Sequence, residues 1–164
     1  MSTFELRSAT RQDLPVVLTL VRALAAFEKL SHEVVATEAD YAESLFGARP
    51  AAEVVLAFEG NQPVGLAIFF ENFSTFLGKR GIYLEDIFVT PEARGRGCGR
   101  ALLSHIGRIA TARDCGRIEW AVLDWNDPAI EFYRKLGAVP MEEWTVFRLT
   151  GDGIRQLAEG RTDD

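Results

Sequence analysis

The sequence predicts a single α/β domain, and three observations carry that expectation. Apolar runs of strand length alternate with stretches whose apolar residues recur at helical spacing. The segment Tyr83–Arg100, YLEDIFVTPEARGRGCGR, reads as a strand, a Pro-marked turn, three glycines and the first turn of a helix. Finally, 164 residues with 48% hydrophobic content suffice for one core, and no repeat, low-complexity stretch or linker divides them.

Residues 3–9 (TFELRSA) are short and alternating, a first strand. Thr10 and Asp13 form a capping-box pattern, and Pro15 sits where an early helical turn tolerates it. Leu14, Val17, Leu18, Val21, Leu24 and Ala25 then predict an amphipathic helix over 11–29. A second helix fits 38–46, capped by Thr37, with Ala42, Leu45 and Phe46 inward. Two apolar runs, 52–59 and 64–71, are strands joined by a hairpin turn at Gly60-Asn61-Gln62-Pro63. A polar, Gly-containing loop is expected over 72–81.

Ile82–Val89 is β-branched and aromatic apart from Glu85 and Asp86, the composition of a buried strand. Thr90-Pro91 ends it, because proline cannot donate to a ladder. A helix over 98–114 follows, with Leu102, Ile106, Ile109 and Ala110 on one face. Residues 117–123 make another strand, broken at Asp124-Trp125-Asn126-Asp127-Pro128. Pro128 starts a helix through about Leu136, which Gly137 is suited to cap. A last strand is expected at 144–149 and a short helix at 151–159, with 161–164 a loose polar tail.

The glycine run is where chemistry concentrates. Gly95, Gly97 and Gly99 let the backbone approach a ligand closely, and the following helix start offers unpaired N–H groups and a positive dipole end. With Arg94, Arg96 and Arg100 around it, this is an anion site, the bland alternative being a flexible surface turn. No Gly-Lys-Ser/Thr follows, so it is not a Walker loop, and Arg100 breaks the dinucleotide pattern G-x-G-x-x-G.

Other classes are disfavoured. A net charge of −6 argues against general nucleic-acid binding, though it is compatible with cationic small molecules. Cys98 and Cys115 lack metal-ligand spacing, and His32 and His105 fall in no metal or triad spacing, so no metal is expected. There is no G-x-S-x-G nucleophile elbow. No apolar run is long enough to span a membrane and no signal peptide is seen, so a cytoplasmic protein without membrane attachment is expected.

Arg94-Gly95-Arg96-Gly97-Cys98-Gly99 is an R-x-x-G-x-G, and behind a strand ending in Val89-Thr90-Pro91 it resembles the acetyl-CoA pyrophosphate loop of the GNAT N-acetyltransferases. The resemblance extends through 83–89, Trp125-Asn126-Asp127-Pro128 and 132–138 (FYRKLGA), with Phe27-Glu28-Lys29 and Glu142-Glu143-Trp144 also matched. Together these are similar to the diamine (spermidine/spermine-type) and thialysine acetyltransferase branch. That resemblance implies a mixed central sheet of about six to seven strands, flanked by about four to five helices. It implies acetyl transfer from acetyl-CoA to a small-molecule amine within a ternary complex, by a homodimeric enzyme.

Residue roles follow from the same resemblance. Backbone of Arg94, Gly95, Arg96, Gly97, Cys98, Gly99 and Arg100 would hold the pyrophosphate, and Ile87, Phe88 and Val89 would pair with the pantetheine arm. Asn126 and Pro128 belong to the cofactor side. Tyr133 matches the general acid that protonates the departing thiolate, and it also lies on the cofactor; taken without its context, it reads as a core tyrosine. Glu85 matches the base, acting directly or through water. Strand period alone sends Glu85 and Asp86 to opposite faces unless a bulge intervenes. Phe27, Glu28, Glu85 and Glu143 match the amine-binding end.

The chain also departs from the polyamine enzymes. Phe27 replaces a Tyr, 73–79 (FSTFLGK) lacks an Asp and a Trp, and the turn before Trp144 is shorter. A lysine-related amine is therefore the first choice and polyamines the second. A non-catalytic acyl-CoA-binding sensor is the alternative from another class.

Overall fold

The structure is a computed structural model and describes residues 4–161. Thr3 of the expected first strand and 162–164 of the expected tail lie outside the described residues. The chain divides into two compact units, Met1–Leu123 and Asp124–Asp164.

The first unit is a five-stranded sheet in the order β1-β2-β3-β4-β5. Its strands are β1 (Glu5–Ser8), β2 (Glu53–Glu59), β3 (Gln62–Ser74), β4 (Lys79–Val89) and β5 (Ile118–Trp120). The first four pair antiparallel, and β5 runs parallel to β4. On one face lie α1 (Leu14–Phe27) and α2 (Glu38–Phe46), burying Leu14, Val17, Leu20, Val21, Leu24 and Leu45 against Val54, Leu56, Leu66, Ile68 and Phe88. On the other lies α3 (Cys98–Ala112), whose Cys98, Leu102, Ile106 and Ala110 meet Val55, Ala67, Phe69, Ile82 and Leu84. Apolar alternation on both faces makes this sheet the unit's core.

Local signals in the sequence operate as expected. Thr37 accepts from the Asp40 N–H at 3.3 Å while the Asp40 carboxylate accepts the Thr37 N–H at 2.7 Å, closing the capping box of α2. Before α1, Asp13 takes the Thr10 N–H at 2.7 Å and both guanidinium nitrogens of Arg7 at 2.8 and 2.9 Å. Those bonds from Arg7 hold the Asp13 carboxyl far below the usual range, against the opposing effect of burial. Residues 11–13 form a 3-10 turn, so the α-helix proper begins at Leu14.

Three expectations are corrected. Among the described residues the sheet has five strands rather than six or seven, because 144–149 forms no ladder: its alternation suits a strand, but alternation alone does not make one. The loop expected over 72–81 shrinks to four residues, since β3 and β4 pair from Asn72↔Gly81 to Ser74↔Lys79. Polar composition does not prevent strand formation when an antiparallel partner is tethered by so short a turn. The strand expected over 117–123 is only β5, three residues long.

The second unit contains α4 (Asp127–Lys135) and α5 (Asp152–Ala158). Asn126 caps α4 by accepting the Ala129 N–H at 3.4 Å, and Pro128 sits in its first turn. At the other end Gly137 N–H bonds to the Arg134 carbonyl at 2.9 Å and Ala138 N–H to the Tyr133 carbonyl at 3.2 Å, a Schellman closure.

Candidate active site

The site begins with an irregularity in β4. Ile68 pairs with Asp86 but Phe69 pairs with Leu84, so Glu85 is an extra residue with nothing opposite it. The insertion changes which way the strand faces. Ile82, Leu84 and Phe88 share parity, yet the first two pack toward α3 and Phe88 packs toward α1. Asp86 falls in step with Phe88, on the α1 side. A bulge thus re-aims the acidic pair that strict alternation would have split.

Asp86 is part-buried there, among like charges. Its carboxyl is pushed up to about 6, first by burial and then by the charges of Glu85 and Glu28. Glu28 is the C-cap of α1, directly after Phe27, and burial raises its carboxyl as well. Tyr41 of α2 completes the surroundings; its phenol is raised by burial and by Asp86, against the effect of Arg22. Glu85 itself is exposed. Three carboxylates thus converge at the α1 end of the bulge, an arrangement that favours an ammonium group.

Beyond the bulge, pairing of β4 with β5 stops at Leu84↔Trp120. Among the described residues no strand lies on that edge of Ile87, Phe88 and Val89, so an extended ligand can add to it as a strand would. Thr90 N–H returns to the Val64 carbonyl at 2.9 Å, and 91–93 form a 3-10 turn into the glycine loop.

Gly95 and Gly97 have φ of 70° and 90°, and a Cβ built on either meets nothing within 4 Å. Left-handed backbone facing open space is the form required for amides to converge on an anion. The first α-helical bond of α3 runs from Ala101 N–H to the Gly97 carbonyl at 2.9 Å, leaving the N–H groups of Cys98, Gly99 and Arg100 outside the helical ladder. These observations fit a diphosphate-bearing cofactor.

The arginines differ from one another. Arg96 holds Glu59 of β2 with both terminal nitrogens, one at 3.1 Å, which offsets its charge. Arg94 donates from Nε to the Val89 carbonyl at 2.9 Å. Arg100 is exposed. Cys98 is buried beneath the loop and burial pushes its thiol up to about 11, the state of a packing residue.

A match to the acetyltransferase (GNAT) family covers residues 20–138, most of the chain. The chain belongs to the GNAT acetyltransferase family. As a GNAT enzyme it is an N-acetyltransferase with acetyl-CoA as its acetyl donor. Similar proteins include the thialysine N-epsilon-acetyltransferase of Mus musculus, 36% identical over 96% of this chain and 99% of that protein. The L-ornithine N5-acetyltransferase of Arabidopsis thaliana is 32% identical over 93% of this chain and 86% of its own length. Among solved structures, an integron cassette protein from the mobile metagenome of V. cholerae superposes with TM-score 0.79 at 27% identity, covering 97% of this GNAT chain and 99% of that one.

The first unit brings together Phe27, Glu28, Glu85, Ile87–Val89 and the loop 94–100 of the sequence-derived set. The second unit carries Asn126 as the cap of α4 and Pro128 and Tyr133 on it, with Phe132 and Tyr133 rings 5.5 Å apart, and Glu143 exposed outside it. Sequence reasoning weighs Asp86 but prefers Glu85, and it does not consider Tyr41. Two adjacent acids in an otherwise apolar strand were the available signal for Asp86; nothing marks Tyr41. Among the described residues no group of His, Cys, Asp or Glu could hold a metal, and no helix is long and apolar enough to cross a membrane.

Proposed function

We propose that this GNAT enzyme acetylates the primary amine of a small cationic substrate, a lysine- or thialysine-like amino acid in the first place and a diamine or polyamine in the second. The observation that carries this reading is the bulge at Glu85, which puts part-buried Asp86 beside Glu28 at one end of the open strand edge. The names of the thialysine and ornithine relatives support the same substrate class.

Acetyl-CoA supplies an activated thioester when bound. The loop amides of 94–100 would hold its diphosphate, each charge-assisted bond contributing roughly 1.5–3 kcal/mol. Backbone of Ile87, Phe88 and Val89 would align the pantetheine arm, with Asn126 and Pro128 also on the cofactor side. Asp86 and Glu28 bind and orient the ammonium. Glu85, exposed at the bulge, receives its proton directly or through water, since only the neutral amine is nucleophilic. Tyr133 donates its phenolic proton to the departing thiolate. Phe27 and Glu143 complete the amine-binding end. We take 1–160 as one catalytic domain of a cytoplasmic homodimer, the exposed Trp144, Val146 and Phe147 being suited to a second copy.

The test is thiol release from acetyl-CoA over a panel of thialysine, lysine, ornithine, diamines and polyamines. Tyr133→Phe should lower kcat by about 10²–10⁴-fold, the range of general-acid contributions, with coenzyme A affinity largely intact. Coenzyme A binding without thiol release on any amine would point instead to a sensor module.

A further inference from the structure

The side chain of Arg94 does not reach away from the glycine loop as a free cation would. Its guanidinium carbon lies 4.4 Å from the centroid of the Phe27 ring and 5.4 Å from that of Phe88, while Nε holds the Val89 carbonyl at 2.9 Å. These partners belong to separate parts of the site. Phe27 is the last residue of α1, Phe88 and Val89 end the open edge of β4, and Arg94 opens the loop. The residue after Phe27 is Glu28, whose charge acts on Asp86. Diphosphate recognition by backbone amides leaves this side chain available for such a role.

We propose that Arg94 is a positioning residue that clamps the carboxylate-bearing end of α1 to the cofactor loop, so that cofactor binding and amine recognition are energetically linked. The inference rests on the reading above for what Glu28 recognises. Loop ordering by coenzyme A fixes Arg94, Arg94 fixes Phe27, and Phe27 fixes the turn that presents Glu28. Linkage requires the reverse effect of equal size, the amine tightening the coenzyme. Lysine cannot replace this arginine, because it lacks both the planar face that stacks on rings and an Nε donor part-way along its stem.

The experiment compares Arg94→Lys, Phe27→Leu and the double variant with wild type. Coenzyme A affinity is measured by calorimetry, amide exchange at Glu28 and Leu30 with and without coenzyme A, and kcat and KM for the amine separately. These two amides bond to the Leu24 and Ala25 carbonyls at 2.9 and 2.8 Å, so their exchange reports the end of α1. In wild type, coenzyme A should slow that exchange. In Arg94→Lys exchange should be on the order of ten-fold faster and insensitive to coenzyme A, as expected for loss of a stacked cation with its hydrogen bond. Amine KM should rise by a similar factor, more than kcat falls, and the double variant should be no worse than either single one. Retained coenzyme binding shows that each variant is folded. Arg94→Lys that loses coenzyme A affinity while exchange at 28–30 and amine KM stay at wild-type values would overturn the clamp and make Arg94 an ordinary phosphate-loop cation. Additive single effects would overturn it too. Exchange that behaves as expected with an unchanged amine KM would keep the clamp but refute Glu28 as an amine contact.

Discussion

Replacing Asp86 with asparagine should make the protein more stable at neutral pH and poorer as an enzyme. The carboxyl titrates at about 6 rather than at the ordinary 3.8, because it is buried and because Glu85 and Glu28 repel its charge. At 1.36 kcal/mol per pH unit, that rise disfavours the ionised form in the fold by up to roughly 3 kcal/mol. Between 3.8 and about 6 the native state therefore binds more protons than the unfolded chain. The stability contributed by the neutral acid is complete below 3.8 and is lost as pH rises through about 6. Asparagine does not ionise, so the variant escapes that loss. Urea unfolding should show no more than a small difference between the two proteins near pH 4, widening to as much as about 3 kcal/mol by about pH 7.5. For a chain of this length that is about 6–12 °C in Tm. In the acetylation assay, wild-type kcat/KM for the amine should climb with pH through about 6 as Asp86 ionises. The variant should lack that limb, with amine KM raised on the order of ten- to a hundred-fold. A stability gap that stays constant from pH 4 to 7.5 would show that Asp86 titrates at its ordinary value, and the burial argument would fail.

Glu28→Gln removes one of the two like charges on Asp86, so the acid limb of kcat/KM should move to lower pH while amine KM rises; the pH profile of the single variant checks this. Gly97→Ala should weaken coenzyme A binding about ten-fold in calorimetry. The cause is backbone strain of roughly 1–2 kcal/mol at φ 90°, not a clash, since a Cβ there meets nothing. Asp13→Asn removes the charge paired with Arg7 while keeping an oxygen for the Thr10 N–H, and should destabilise by about 1–2 kcal/mol at pH 7. Because the Asp13 carboxyl is lowered, its contribution is present above the ordinary 3.8 and lost as pH falls, so chemical unfolding should show the gap closing in acid.

How far the site could be read from the residues depends on whether each feature is local. The cap at Thr37, the helical stripe from Leu14 to Ala25 and the strand–glycine–helix passage after Tyr83 are decided by neighbours within a turn or two, and all form as written. Gly95 and Gly97 are legible for the same reason, since positive φ is a requirement on a single residue. The bulge is a different kind of feature. It exists because β3 and β4 pair with one residue more on β4, and a register is a property of two strands that neither composition displays. That one residue decides the chemistry. Without it, Asp86 would share a face with Leu84, pointing into the apolar layer beneath α3, where an unpaired carboxylate is disfavoured far more strongly than at the α1 end. The inserted residue instead brings Asp86 to the α1 side, in step with Phe88. The segment 144–149, which forms no ladder, shows the complementary point: alternation is local and legible, whereas ladder pairing is a property of two segments.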